Sequence, residues 1–296
     1  MNAYLDQNML IYLANNHDWM AIAAGAVAAG RATFVLSPWH FYEIGKLSTD
    51  RKRELVNVVD QLNASWILDR ADLQLLEYLN SWRNLWNGEH KQFAPIGTLP
   101  EVGAFLLRST PTQLANFNLA RYVEIFAGSG GAQLLKVVFA DQKRIAASNQ
   151  VSYRNGRYSD AIDRAVQKRY IARLLAREKE TGPSLSELNR REAAILQDGL
   201  ENAKIDFFIE FVGMSELRAW MIESRLTSLH MAGTAVLNEN RQVDRQHACA
   251  GLAYCDRLVT NDTELLNRAA EISSNLPFAP ATAVRPEDFI QQLLTL

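Results

Sequence analysis

Short apolar segments alternate with helix-like segments at both ends of this chain, and that alternation most constrains how it can fold. In the first part, the strand-like segments "AYLD", "TFVLS" and "SWILD" are each followed by residues with helical periodicity. "TFVLS" (33–37) is continuously apolar before its final serine, as is typical of a strand buried on both faces of a sheet. The alternation predicts an α/β fold, in which a parallel sheet is sandwiched by helices in three layers.

The pattern changes in the middle of the chain. A loop-rich stretch begins near residue 87, and helical periodicity without a strand signal continues to about residue 235, with a capping box at Ser184 and Glu187. Strand-like "RLVT" and "ATAV" then resume the α/β pattern. We therefore predict an α/β domain made of residues 1–86 plus 236–296, and an inserted all-α subdomain at 87–235. The two outer segments together are of ordinary size for one domain.

Composition restricts the partners and the compartment. The formal net charge of -2 means that any contact with nucleic acid has to come from a local basic patch. Cys249 and Cys255 lie six residues apart, which matches no zinc or redox spacing, so two reduced thiols and a cytoplasmic location are expected. No apolar segment reaches the roughly 18 residues that a membrane span needs, so no membrane association is expected.

Four acidic residues are placed where parallel α/β sheets bind their ligands, at the carboxyl ends of strands. Asp6 ends the first strand, Glu43 follows the second strand within its helix, and Asp262 follows "RLVTN". We expect Asp244 to start the helix that precedes this last strand. That helix runs out about 18 Å, and the strand returns about 16 Å. Asp244 and Asp262 should therefore share one edge of the sheet.

Four carboxylates in one crevice would repel one another and take up protons unless cations were bound. Mg²⁺ and Mn²⁺ prefer oxygen ligands, and such an ion can polarise a phosphate and activate a water. This points to metal-assisted hydrolysis of phosphodiester bonds. Each acid also has a simpler interpretation, because an Asp such as Asp6 or Asp244 commonly caps a helix and Glu43 could be a solvated helix residue.

The segments "YLDQNMLIYLA", "LSPWHFYEI", "VDRQHACAGLAYCDRLVTND" and "AVRPEDFI" resemble the PIN-domain nucleases in chain order and spacing. The four acidic positions of that family are matched by Asp6, Glu43, Asp244 and Asp262. Asn8 matches the polar residue two positions after the first acid, and Thr260 matches the Thr of the last motif. The resemblance implies a Mg²⁺- or Mn²⁺-dependent nuclease, usually acting on RNA and leaving a 5′-phosphate and a 3′-hydroxyl. The long insertion departs from the small toxin-type members.

Two further features have both a functional and a structural interpretation. His247 lies one turn after Asp244 and could reach a phosphate or a carboxylate, although a lone His on a helix is more often structural. A basic stripe in the insertion consists of Arg164, Lys168, Arg169, Arg173 and Arg177. The last three recur at every fourth residue on one helical face. This stripe is compatible with a phosphate-tracking surface and equally with a solvated helix.

Two alternatives to a ribonuclease remain at the level of the sequence. One is a PIN-like interaction protein that does not cut and that docks a partner on the insertion. The other is a structure-specific DNA nuclease whose insertion holds a single strand. The sequence also leaves open whether the chain forms a homodimer or binds a protein partner such as an antitoxin.

Overall fold

The computed structural model describes residues 1–87, 93–107, 109–127, 217–232, 239–274 and 276–295. Over these residues, the strands are β1 (Asn2–Leu5), β2 (Thr33–Leu36), β3 (Ser65–Ile67), β4 (Ile96–Gly97), β5 (Arg257–Val259) and β6 (Thr282–Val284). The helices are α1 (Gln7–Asn15), α2 (His17–Ala28), α3 (Trp39–Gly45), α4 (Thr49–Gln61), α5 (Arg70–Asn87), α6 (Leu99–Leu107), α7 (Leu119–Ala127), α8 (Arg218–Ala232), α9 (Glu239–Tyr254), α10 (Thr263–Ser273) and α11 (Pro286–Thr295).

The strands form one sheet in the order β4–β3–β2–β1–β5–β6. Every neighbouring pair is parallel except β3 and β4, which are antiparallel. The α/β class and a mostly parallel sheet flanked by helices are thus confirmed, whereas the prediction of a wholly parallel sheet is wrong. β4 lies within the stretch predicted to be loop. It was not predicted because a strand of two residues is too short to produce a detectable period in the sequence.

The centre of the sheet is apolar on both faces. Ala3, Tyr4 and Leu5 of β1 are fully buried, as are Val35 and Leu36 of β2. These positions match the continuous apolar runs from which the strands were predicted.

The alanine-rich segment near the start of the chain forms α2, which packs against α1 and α11. Asn16 caps this helix, since its Oδ1 accepts the backbone N–H of Trp19 at 3.1 Å. None of the helices in the described part of the chain combines the length and the apolar character needed to cross a bilayer.

The described parts of the predicted insertion share a core with the α/β domain. The Phe41 ring of α3 stacks on Trp66 of β3 at 4.7 Å and on Tyr122 of α7 at 5.4 Å between ring centroids. Ile222 of α8 belongs to the same buried cluster. Residues 128–216, including the capping box, lie outside the described residues, so a separate all-α subdomain and its boundaries remain predictions.

Buried ion pairs fix the rotation of α9, the helix that carries Asp244 and His247. Glu223 of α8 accepts hydrogen bonds from Arg70 at 2.5 Å and from Arg245 at 2.7 Å. The thiol of Cys249, one turn after Arg245, donates to the same carboxylate at 3.1 Å. Because Arg245 and Cys249 share the face of α9 that meets α8, a different face is directed towards the sheet. Both cysteines are free thiols, as expected.

A glycine lets α9 approach the sheet closely. A Cβ atom at Gly251 would lie 3.0 Å from a side-chain carbon of Tyr4 and 3.0 Å from one of Leu258. These distances are shorter than ordinary van der Waals contact, so a larger residue would push α9 away from β1 and β5.

A second buried carboxylate links α5, α8 and α9. Glu77 of α5 accepts the backbone N–H of Ala219 at 2.6 Å and the hydroxyl of Tyr254. It therefore caps the first turn of α8 from a distance. Burial raises the pKa of Glu77 to about 7, despite the opposing effect of these hydrogen bonds.

Candidate functional site

Three neighbouring parallel strands, β2, β1 and β5, end at the same edge of the sheet. The backbone N–H of Asp6, directly after β1, donates to the carbonyl of Val259 at the end of β5 at 3.1 Å. Ser37 follows β2, and Thr260 follows β5. We refer to this region as the carboxyl edge.

Asp6 serves as a helix cap and also lies in the predicted cluster. Its Oδ1 accepts the backbone N–H of Met9 at 2.9 Å, which caps α1. Burial raises the pKa of Asp6, an effect opposed by its hydrogen bonds with Thr260 and Met9 and reinforced by the charge of Glu43. The capping alternative is therefore observed, and it coexists with the proximity of other acids.

Thr260 connects two of the predicted acids. Its hydroxyl bonds the Asp6 side chain, and its Oγ1 accepts the backbone N–H of Asp262 at 3.0 Å. The Oδ1 of Asp262 in turn caps α10 by accepting the backbone N–H of Leu265 at 2.8 Å. Thr260 is fully buried, so this link between the ends of β1 and β5 is shielded from water.

Asp244 lies in the second turn of α9, so the prediction that it starts the helix is wrong. The helix begins five residues earlier, at Glu239, because the residues between contain neither Gly nor Pro and extend it without a break. Burial raises the pKa of Asp244 to about 7, and the charges of Asp262, Glu43 and Asp6 add to the rise, while His247 opposes it. Asp262, Glu43 and Asp6 therefore all lie close enough to Asp244 for their charges to affect its pKa.

Glu43 and His247 form a partly buried hydrogen-bonded pair across the carboxyl edge. The Nε2 of His247 lies 2.8 Å from Oε2 of Glu43, and their side chains are 2% and 21% exposed. Burial lowers the pKa of His247, but the carboxylates of Glu43, Asp6 and Asp244 outweigh it and the net direction is upward. Burial raises the pKa of Glu43, but the charge and the hydrogen bond of His247 outweigh this effect, so the net direction is downward.

Three buried polar residues next to this pair, Tyr4, Ser37 and His40, were not predicted from the sequence. The hydroxyl of Tyr4 lies 2.6 Å from Oγ of Ser37 and 2.5 Å from Nδ1 of His247. His40 is fully buried and lies 2.8 Å from the carbonyl of Leu5 through Nε2. A tyrosine in the middle of a central strand signals a buried hydroxyl that needs a partner, but the partner cannot be identified from local sequence.

The state of His40 follows from its surroundings. Burial, together with the nearby His247, lowers its pKa to about 3, so the ring is neutral. Its Nε2–H then donates to the carbonyl of Leu5, and its Nδ1 accepts the backbone N–H of Ser37 at 3.1 Å. Its bonds thus fasten α3 to the ends of β1 and β2.

The remaining predicted site residues differ in their placement. Asn8 is exposed in the first turn of α1, two positions after Asp6. Arg164, Lys168, Arg169, Arg173 and Arg177 of the basic stripe lie outside the described residues. Asp256, which is not one of the predicted site residues, directly precedes β5 and accepts the backbone N–H of Asn2 at 2.7 Å, which places it at the opposite edge of the sheet.

The four acids suit a hard cation by their chemistry. Carboxylate oxygens are the ligands that Mg²⁺ and Mn²⁺ prefer, and a cation relieves the repulsion that contributes to the raised pKa of Asp244. Among the described residues, however, no three His, Cys, Asp or Glu side chains are grouped closely enough to hold a metal ion. The helix-capping bonds of Asp6 and Asp262 keep one oxygen of each directed at the backbone. Binding would therefore use their other oxygens or a change of rotamer.

Comparison of the chain with protein-family models, with curated proteins and with solved structures found no match.

Proposed function

We propose that this chain is a divalent-metal-dependent nuclease that hydrolyses phosphodiester bonds in RNA. The observation that carries the proposal is that acids from separate segments of the chain meet at the carboxyl edge. Asp6 and Asp262 follow the adjacent strands β1 and β5 and are joined through Thr260. Burial and the charges of Asp262, Glu43 and Asp6 raise the pKa of Asp244 next to them. These carboxylates lie at the carboxyl ends of adjacent parallel strands, which is where α/β sheets bind ligands. Strongly perturbed pKa values also cluster at functional sites.

In this proposal, Asp6, Glu43, Asp244 and Asp262 hold one or two Mg²⁺ or Mn²⁺ ions. When bound, such an ion would polarise the scissile phosphate and activate a water. The chain's own contribution is to hold the acids in place, as Thr260 does by bonding Asp6 and Asp262. No nucleophilic side chain is required, because water is the attacking group.

The choice of RNA over DNA rests on the resemblance to PIN-domain nucleases. The basic stripe with Arg169, Arg173 and Arg177 lies outside the described residues. If the predicted helix forms there, these residues share one face that is compatible with contact with a phosphate backbone. It does not distinguish the two nucleic acids.

Cleavage of end-labelled oligonucleotides tests the proposal. RNA and DNA of one sequence are incubated with wild type, Asp6→Asn and Asp256→Asn in millimolar Mn²⁺, with and without a chelator. We expect wild type and Asp256→Asn to cut RNA, and Asp6→Asn to be inactive while still folded. Asp256 is the matched control because it is an exposed Asp at the opposite edge. Full activity of Asp6→Asn would rule out the assignment, and a preference for DNA would favour the structure-specific DNA nuclease.

A second candidate is a PIN-like interaction protein that does not cut. It is favoured by the capping bonds of Asp6 and Asp262 and by the lack of three grouped ligands within the described ranges. This candidate predicts that Mn²⁺ leaves the melting temperature unchanged and that variants of the four acids still bind their partner.

A further inference from the structure

A continuous hydrogen-bonded chain of side chains runs from the interior to the carboxyl edge. It consists of Ser37, Tyr4, His247 and Glu43, with successive contacts of 2.6, 2.5 and 2.8 Å. Its members come from the end of β2, from β1, from α9 and from α3. The first three are at most 2% exposed, whereas the side chain of Glu43 is 21% exposed. The chain is thus anchored in the core and ends on an acid that reaches solvent.

The direction of each hydrogen bond follows from the chemistry of the groups. A carboxylate only accepts, so Nε2–H of His247 donates to Glu43. If the imidazole is neutral, the hydroxyl of Tyr4 donates to Nδ1 and the hydroxyl of Ser37 donates to Tyr4. If it is charged, Nδ1–H donates to Tyr4, which donates to Ser37. The two hydroxyls can turn, so Glu43 is held in the same place in both states.

His40 provides a comparison within the same site. It is as deeply buried as His247, and the two ring centroids are only 4.6 Å apart. The hydrogen bonds of His40 go to the backbone of Leu5 and Ser37, as expected of a residue that fastens elements together. His247 instead bonds two side chains, one of them an acid of the proposed cation site. The difference indicates that His247 does more than complete the packing.

We propose that Tyr4 and His247 are positioning residues, which orient the carboxylate of Glu43 towards the cation of the proposed nuclease site. The inference rests on that proposed function and adds two residues to it. Removal of a group that orients a metal ligand typically weakens metal binding by about 10- to 100-fold.

Mn²⁺ binding by the folded, full-length protein tests the inference without an activity assay. Free Mn²⁺ is measured by electron paramagnetic resonance during titration, and folding of each variant is checked by circular dichroism. Two substitutions of His247 form a matched pair. Gln places its amide nitrogen near the position of Nε2 and can still donate to Glu43. Asn places its amide nearer Nδ1, so it retains the Tyr4 contact and loses the bond to Glu43.

We expect His247→Asn to bind Mn²⁺ about tenfold more weakly than wild type, and His247→Gln to recover most of the affinity. Tyr4→Phe keeps the ring in the core and removes only the hydroxyl, so it should also weaken binding. The control is Asp256→Asn, which changes an exposed residue at the opposite edge of the sheet and should keep the Mn²⁺ affinity of wild type.

The outcomes separate this inference from the proposed function. If wild type and His247→Asn bind Mn²⁺ equally while Asp6→Asn does not bind, the positioning role is wrong and the metal site stands. If the His247 variants do not fold, Tyr4→Phe decides the question: an Mn²⁺ affinity equal to that of wild type would overturn the positioning role. If wild type binds no Mn²⁺, both the metal-dependent function and the inference fail.

Discussion

Replacing Asp244 by Asn should stabilise the protein in the absence of divalent cations. Raising the pKa of a carboxyl from 3.8 to about 7 corresponds to about 4 kcal/mol of lost folding free energy once the group is ionised, at about 1.4 kcal/mol per pH unit. Asp244 is only partly buried, so water screens part of this cost. We expect Asp244→Asn to gain about 2 kcal/mol above pH 7, which corresponds to a rise of about 3 °C in melting temperature for a chain of 296 residues.

The pH dependence of this effect has a definite sign. In the unfolded chain Asp244 ionises near pH 3.8, whereas in the folded chain it ionises near pH 7. The folded state therefore holds the proton more tightly, and the stability of wild type falls as pH rises through this range. The advantage of Asp244→Asn should be absent below about pH 4, grow between pH 4 and 7, and be complete above pH 7.

Thermal melts in a chelator at pH 4, 5.5 and 8 measure this difference directly. Asp256→Asn is the matched control, since it removes one Asp charge at the opposite edge of the sheet. Added salt should reduce the difference in melting temperature between wild type and Asp244→Asn, because salt screens the repulsion between carboxylates but does not reduce the cost of burial. A destabilised Asp244→Asn, or a stability difference that does not change with pH, would refute the raised pKa of Asp244.

Three further substitutions test other parts of the fold. The pKa of the buried acid Glu77 is raised from 4.5 to about 7, so we expect the stability of wild type to fall over this pH range and that of Glu77→Gln to fall less. Urea melts across the range measure the free energy of unfolding of both proteins. An equal dependence of this free energy on pH in the two proteins would contradict the prediction. Gly251→Ala should destabilise the protein by about 1–3 kcal/mol, since the added methyl group meets Tyr4 and Leu258 at 3.0 Å. This cost outweighs the better helix propensity of Ala. An unchanged urea midpoint would show that α9 can move away from the sheet without cost. Phe41→Ala should cost about 3–5 kcal/mol, because its fully buried ring stacks on Trp66 and Tyr122; a loss below about 1 kcal/mol in denaturant melts would contradict this packing.

The sequence predicted the strands that organise the carboxyl edge because their signal is local. Continuous apolar runs are strongly favoured where both faces of a strand are buried, and β1 and β2 occur at the predicted places. Once the strands are parallel, topology alone places Asp6 and Asp262 at one edge. This is why two of the four acids could be located without knowledge of any tertiary contact.

The parts that the sequence did not predict depend on contacts between distant residues. Tyr4 and His247 are 243 positions apart, and their hydrogen bond arises only when α9 packs on β1. β4 joins the sheet through pairing with β3 rather than through a period of its own. The start of α9 was misplaced because Asp244 resembles a helix cap, whereas the helix extends through it.

A thermal melt of wild type and Asp6→Asn with and without Mn²⁺ tests directly whether the four acids of the carboxyl edge bind a metal ion. A cation that binds only the folded state stabilises it by about 2.7 kcal/mol at one hundred times its Kd. We expect millimolar Mn²⁺ to raise the melting temperature of wild type and to leave that of Asp6→Asn unchanged. No rise in wild type, or an equal rise in both proteins, would contradict a metal site built from the four acids of the carboxyl edge.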